Sequence, residues 1–205
     1  MIIGVTGGMG SGKTSFSSML AELGVASVVN ADLIANRAVG KDVLLGKLIA
    51  AFGCDIATSE GELDRRALGR LALADKTSQD KLYAIIRPQL ERDLRCELAR
   101  AQSESDGGIV LFDAPLIYEW GIEDWVDAIV LVDCEEDMRI QRVLARSSLS
   151  LGEIQRRIAL QMDSIDKEKR ANFVIDNNGS VEDLRGQAEK LWRHWVGLLE
   201  NKGEK

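Results

Sequence analysis

Apolar positions along the chain follow two rhythms: short continuous runs, and longer stretches repeating every three to four residues. Residues 2–6 form a continuous run ending at glycines, the pattern of a buried strand feeding a tight loop. Residues 13–23 place Phe16, Met19, Leu20 and Leu23 on one helical face, with Gly24 as the stop. A β-branched run at 25–29 predicts a second strand, and 43–52 predicts a helix that Gly53 ends. From 63 to 101 the pattern stays helical. Leu82, Ile86, Leu90, Leu94 and Leu98 make an i,i+4 core stripe, with a bend predicted at Pro88. Three more runs, 109–112, 128–132 and 173–175, each end in an aspartate: Asp113, Asp133 and Asp176. Ser150 with Glu153, and Ser180 with Asp183, have the spacing of capping boxes opening two further helices. Leu184, Leu191, Trp192, Trp195 and Leu198 on the last helix read as core, and the tail from Asn201 reads as loose.

Continuous apolar strands separated by helices indicate a parallel sheet covered on both faces. Five such strands and their intervening helices predict one α/β domain with helical inserts. At 205 residues, 45% apolar and 29% charged, the chain can bury its core without disulfides or a structural metal. Its periodicity excludes disorder. Lys and Arg total 26 against 33 Asp and Glu, a net charge of −7. That balance argues against an extended basic face for nucleic acid or membrane surfaces. The charge is uneven, however. Residues 101–138 hold eleven acids and no Lys or Arg, whereas 139–170 hold eight bases and four acids. A concentrated basic segment in an acidic protein points to a small anionic ligand.

One histidine, His194, excludes a multi-histidine metal site. Cys54, Cys96 and Cys134 lie about forty residues apart without a CxxC, and read as reduced, buried small hydrophobes. No apolar run reaches the ~18 residues of a membrane span, and the N-terminus opens on a strand rather than a basic leader. A cytoplasmic protein is the expectation.

The chemistry is concentrated at Gly7-Gly8-Met9-Gly10-Ser11-Gly12-Lys13-Thr14, which satisfies G-x-x-x-x-G-K-[ST] between a strand and a helix. Glycines admit phosphates close to backbone N–H groups, and the helix N-terminus adds positive character. The pattern predicts ATP phosphates on the loop, Lys13 on the β- and γ-phosphates, and the Thr14 hydroxyl on Mg²⁺. Asp113, ending the third run, stands where a Walker-B-type carboxylate would hold the metal, directly or through water, or alternatively as a strand-end acid in a turn. A GTPase is disfavoured: the only Asn-Lys, Asn201-Lys202, is followed by Gly-Glu, and Asp113-Ala114-Pro115-Leu116 replaces a switch D-x-x-G. In small-molecule kinases a basic helical segment between the fourth and fifth strands forms a lid over the transferring phosphoryl group. Arg142, Arg146, Arg156 and Arg157 are the candidates here. Asp32, just after the second strand, is positioned as a base for an acceptor hydroxyl, or alternatively as a helix N-cap.

These strings resemble the dephospho-CoA kinase family over nearly the whole chain. Besides the phosphate loop, the similarity rests on Asn30-Ala31-Asp32, Leu63-Asp64-Arg65-Arg66-Ala67-Leu68, and Asp113-Ala114-Pro115-Leu116-Ile117-Tyr118-Glu119. It continues through Leu149-Ser150 with Glu153, Arg157-Ile158 with Gln161, and Val174-Ile175-Asp176-Asn177-Asn178-Gly179-Ser180. The resemblance implies a P-loop kinase fold with a core at 1–37, 106–140 and 172–200, a helical substrate insert at 38–105, and a lid at 141–171. It implies transfer of the ATP γ-phosphoryl to the ribose 3′-hydroxyl of dephospho-CoA, with Mg²⁺. Gly8 through Thr14 would hold ATP, Asp32 would take the proton, and Arg142 with Arg146 or Arg157 would neutralise the transferring group. Asn177 and Gly179 would lie near the adenine. Arg65, Tyr118 and Glu119 would face the acceptor, and Thr14 and Asp113 the metal.

The implied partners are the two small substrates, with no nucleic acid or membrane, in a monomer or small homo-oligomer. Three positions depart from the family pattern: Asn30 for the first Asp of D-A-D, Arg87 before Pro88, and Asn172 before the fifth strand. A kinase for another nucleoside or small alcohol, and a non-catalytic nucleotide-binding regulator, stand as alternatives.

Overall fold

Strand β1, Ile2–Thr6, lies at the centre of a sheet whose order is β2-β3-β1-β4-β5, all pairs parallel. The other strands are β2 Ser27–Asn30, β3 Val110–Asp113, β4 Ala128–Asp133 and β5 Phe173–Asp176. The computed structural model describes residues 1–39 and 42–203. Residues 40 and 41 of the predicted insert, and 204–205 of the predicted tail, lie outside the described residues. The helices are α1 Lys13–Leu23, α2 Ala31–Val39, α3 Asp42–Phe52, α4 Arg65–Ala72 and α5 Lys76–Glu104, then α6 Glu136–Arg146, α7 Leu151–Ala159, α8 Ser164–Glu168 and α9 Val181–Gly203. The chain divides into two compact units, one of Met1–Asn30 with Leu98–Lys205, the other of Ala31–Glu97.

The first unit carries the sheet. Ile3, Val5, Leu111, Val130, Val132 and Ile175 from the strands pack with Phe16, Met19 and Leu20 of α1 and Leu184, Ala188, Leu191 and Trp195 of α9. These side chains are buried because both faces of a parallel sheet must be covered by the helices that cross over it. The fold class is the one expected from the sequence: a P-loop-type five-stranded parallel sheet flanked by helices. The strand order reverses beside β1, so the carboxyl ends of β1 and β3 open a crevice where α/β sheets bind ligands.

Several expectations require correction. The second strand begins at Ser27, not at residue 25, because Gly24 takes a left-handed conformation (φ 119°) and the Val25 N–H closes the end of α1 on the Leu20 carbonyl. The helical stretch 63–101 is two helices. The Asp64 carboxylate accepts from the N–H groups of Arg66 and Ala67, and Asp75 accepts from that of Ser78, so each aspartate opens a new helix. Those backbone bonds hold the Asp64 carboxyl below its usual range. The helix expected across Pro88 is present, with Pro88 inside α5. Leu198 is exposed, and α9 continues through the supposedly loose tail to Gly203. Cys54 and Cys96 are also exposed; only Cys134 is buried. Cys54 opens a 3₁₀ turn after Gly53, and Cys96 lies off the buried Leu90, Leu94 and Leu98 stripe.

In the second unit α4 is tied to α2 by two hydrogen bonds from Arg65. Its Nη1 donates to Asn36 Oδ1 at 2.9 Å and its Nη2 to the Asn36 carbonyl at 2.8 Å. The capping boxes are both present. Ser150 and Glu153 bond reciprocally at the start of α7, as do Ser180 and Asp183 before α9. Both carboxyls are held low by these bonds, chiefly by the serine N–H.

Candidate active site

The loop from Gly7 to Gly12 leaves β1 and enters α1, as the motif requires, and all four of its glycines have neighbours within 2.5 Å of where a Cβ would stand. Gly12 has φ 93°, and a Cβ there would collide with Asn177 Nδ2. A Cβ on Gly8 would lie 2.5 Å from Arg139 Nη2 and 2.7 Å from its Cζ. The loop is thus built with side chains pressed directly against its backbone, which only glycine permits.

Lys13 and Asp113, a hundred residues apart, form a buried ion pair. The pairing follows from sheet order. Lys13 opens the helix after β1, Asp113 ends the neighbouring β3, and Val5 is in register with Asp113. The other carboxylate oxygen of Asp113 accepts from Asn30 Nδ2 at 3.2 Å. Asn30 therefore places an amide donor where an aspartate would set a second negative charge against Asp113. Thr14 is exposed in the first turn of α1. Among the described residues there is no cluster of three or more His, Cys, Asp or Glu able to hold a metal. One hydroxyl and one carboxylate nonetheless suit Mg²⁺, which keeps waters and takes its remaining ligands from phosphates.

The opposite wall comes from the segment after β4. Arg142 donates from Nη2 to the Asn177 carbonyl at 2.9 Å and from Nη1 to Cys134 Sγ at 3.3 Å. Burial pushes the Cys134 thiol pKa up, and Arg142 draws it the other way. Asn177, itself buried, donates from Nδ2 to the Ser11 carbonyl at 2.7 Å. The predicted Arg142, Asn177 and phosphate loop are thus one connected group. Arg146 is exposed at the end of α6, and Arg157 is half-buried in the last turn of α7, where it helps hold Glu153 low. Gly179 is exposed beside Asp183.

Other candidates are held by the fold. Glu119 Oε1 accepts from Lys167 Nζ at 2.8 Å and from the Met162 N–H at 3.0 Å. Tyr118 is buried with the Arg170 guanidinium 4.6 Å from its ring centroid, and burial raises its pKa. In the second unit, Asp32 occupies the first turn of α2, so it is a helical residue rather than the cap before it. Arg65 is bonded to Asn36 as described, and Arg87 pairs with Glu91 one turn along α5. Asn172 Oδ1 accepts from the Ile129 N–H at 2.7 Å, extending the β4–β5 pairing by one rung.

Three residues at this site were not singled out as site candidates by the sequence. Arg139 is only 6% exposed and donates from Nε to the Met9 carbonyl at 3.0 Å. Gln161 accepts from the Met9 N–H at 2.8 Å. Lys167, 1% exposed, also donates to the Pro115 carbonyl at 3.3 Å. For Arg139 a signal existed: it lies one turn before Val143 and beside Ile140, on the apolar stripe of α6, where a charge requires a partner.

The family model for dephospho-CoA kinase matches residues 1–183. A dephospho-CoA kinase of Geobacter sulfurreducens is 39% identical over 193 residues, covering 93% of this chain and 96% of the relative. One from Geobacillus kaustophilus is 35% identical over 200 residues, covering 97% and 98%. A crystal structure from Thermus thermophilus has a TM-score of 0.76 at 34% identity, over 95% of this chain and 97% of that one. Shikimate kinase from Aquifex aeolicus shares the fold alone, with a TM-score of 0.52 at 14% identity over 97% and 99% of the two chains. With the phosphate loop, its paired lysine and aspartate, and a match through β5 into α9, this chain belongs to the dephospho-CoA kinase family.

Proposed function

We propose that this protein transfers the γ-phosphoryl group of ATP to the ribose 3′-hydroxyl of dephospho-CoA, giving coenzyme A and ADP. The observation that carries this reading is the Lys13–Asp113 pair at the carboxyl ends of adjacent strands, in a chain matching the family from residue 1 to 183. A new bond forms from the 3′-oxygen to phosphorus as the bond to the β,γ-bridging oxygen breaks. The hydroxyl proton passes to the Asp32 carboxylate, and ADP leaves with the bridging oxygen.

The residues divide this work. Backbone N–H groups from Gly8 to Thr14 and the N-terminus of α1 bind the phosphates. Lys13 exchanges Asp113 for the β- and γ-phosphate oxygens. Thr14 and Asp113 would hold Mg²⁺, which when bound neutralises phosphate charge. Asn177 and Gly179 border the adenine. Arg142, with Arg146 or Arg157, meets charge on the transferring group. Little covalent work falls to the protein; positioning and electrostatics dominate. The bonds of Glu119 to Lys167 and Met162 favour a supporting role over direct contact with substrate. Tyr118 and Arg65 border the acceptor in this reading. No helix among the described residues is long and apolar enough to cross a membrane.

The test is coupled ATP consumption with dephospho-CoA beside adenosine, nucleoside monophosphates and shikimate. Turnover confined to dephospho-CoA is expected, and ATP consumption with another acceptor alone, or with none, would overturn the reading. Arg142→Ala is expected to lower kcat by about 10²–10³ with little change in ATP affinity, since the arginine meets charge that develops in the transition state. An effect confined to KM would reassign it to ground-state binding.

A further inference from the structure

Met9, at the crest of the phosphate loop, is held at three points by the segment that follows β4. Its N–H donates to Gln161 Oε1 at 2.8 Å, and its carbonyl accepts from Arg139 Nε at 3.0 Å. Its side chain packs against the small apolar cluster of Ile140, Val143 and Ile154, together with Leu149 and Ile158, which joins α6 to α7. Both polar groups of one peptide residue are therefore engaged by side chains 130 and 152 positions away.

The holding groups are themselves braced. Arg139 is buried, with its guanidinium lying where a Cβ on Gly8 would stand. Gln161 precedes Met162, whose N–H is fixed by Glu119, and Glu119 is fixed by the buried Lys167. Lys167 reaches the Pro115 carbonyl, which also accepts from Thr6 Oγ1 at the end of β1. The bracing thus returns to the strand that launches the loop.

We infer that Gln161 and Arg139 are positioning residues that clamp the Met9 peptide and make the phosphate loop and the base of the lid segment one mechanical unit. A loop whose crest is already fixed loses less freedom when it takes up a triphosphate, so part of the ordering cost of binding is met on folding. The same clamp places a permanent guanidinium charge behind Gly8, where phosphates approach from the front. The inference rests on reading this loop as the ATP phosphate site, but the clamp itself is observable without nucleotide.

Gln161→Leu removes the acceptor at similar size, and Gln161→Glu retains an acceptor oxygen. In the nucleotide-free protein, amide hydrogen exchange at Met9 is expected to quicken about tenfold in Gln161→Leu, the worth of one hydrogen bond, and to remain slow in Gln161→Glu. For phosphoryl transfer, Gln161→Leu is expected to raise KM for ATP about tenfold while KM for dephospho-CoA stays unchanged. Should that variant lower the melting temperature, Gln161→Asn keeps the amide but withdraws it by one methylene, and the same selective change is expected. Unchanged exchange at Met9 in Gln161→Leu, or equal shifts in both KM values, would overturn the clamp. A failure of dephospho-CoA turnover in the unsubstituted protein would instead overturn the proposed reaction and leave the exchange result standing.

Discussion

Lys13→Met is expected to abolish phosphoryl transfer to within about one part in 10³ and to destabilise the protein as well. The two effects have separate causes. Loss of transfer follows from removing a charge aimed at the phosphates in a preorganised site, where a single donor is worth about 10²–10³ and a full charge stands at the upper end. Loss of stability follows from Asp113, 2% exposed, which would stay buried without its ion-pair partner. Breaking one side of a buried pair costs about 3–5 kcal/mol, and the Asn30 amide at the other oxygen moves the expectation to the lower end. A double replacement separates the causes: Lys13→Met with Asp113→Asn is expected to recover most of the melting temperature and none of the activity. The coupling between the two sites, read from the four-member cycle, is therefore large for stability. Retention of more than a tenth of kcat in Lys13→Met would remove the lysine from the transfer step.

Asp32→Asn carries the second largest expected effect. A positioned base contributes about 10²–10⁴ to kcat, and an amide of the same shape cannot accept the proton. ATP affinity is expected to persist, because the phosphate loop and Asn177 belong to the other compact unit. Asp32 stands in the first turn of α2. Asn30, two residues earlier, contributes no competing carboxylate; its amide is directed at Asp113. Single-turnover measurement of coenzyme A formation, beside equilibrium ATP binding, separates chemistry from affinity. Unchanged turnover would take Asp32 out of the proton transfer and leave that proton to another group.

How much of this was legible in the chain depends on the range of the signal. The phosphate loop, α1 and the five strands are written in neighbouring residues: apolar runs, glycine stops, and Gly12-Lys13-Thr14 after β1. The start of β2 at Ser27 is not legible in the apolar pattern, because Val25 has a strand former's side chain but its N–H closes the end of α1. The break between α4 and α5 is not legible in the apolar pattern, because it depends on the Asp64 and Asp75 side chains reaching the N–H groups of the next turn. The family resemblance implies an acceptor-facing Glu119, yet its partner Lys167 lies 48 positions on and is buried.

The sequence by itself determined the class of fold, the loop that cradles phosphates and the lysine and threonine that follow it. These depend on periodicity and on spacing within one strand, loop and helix, which short-range sterics and burial set directly. Only the tertiary structure decided which polar groups meet. It set Lys13 against Asp113 through the β3-β1 adjacency, turned Asn30 toward that same carboxylate, and closed Arg139 and Gln161 on Met9. The physical reason is that a donor and an acceptor carry no local mark of each other. Strand order and helix packing must first place them within hydrogen-bond distance.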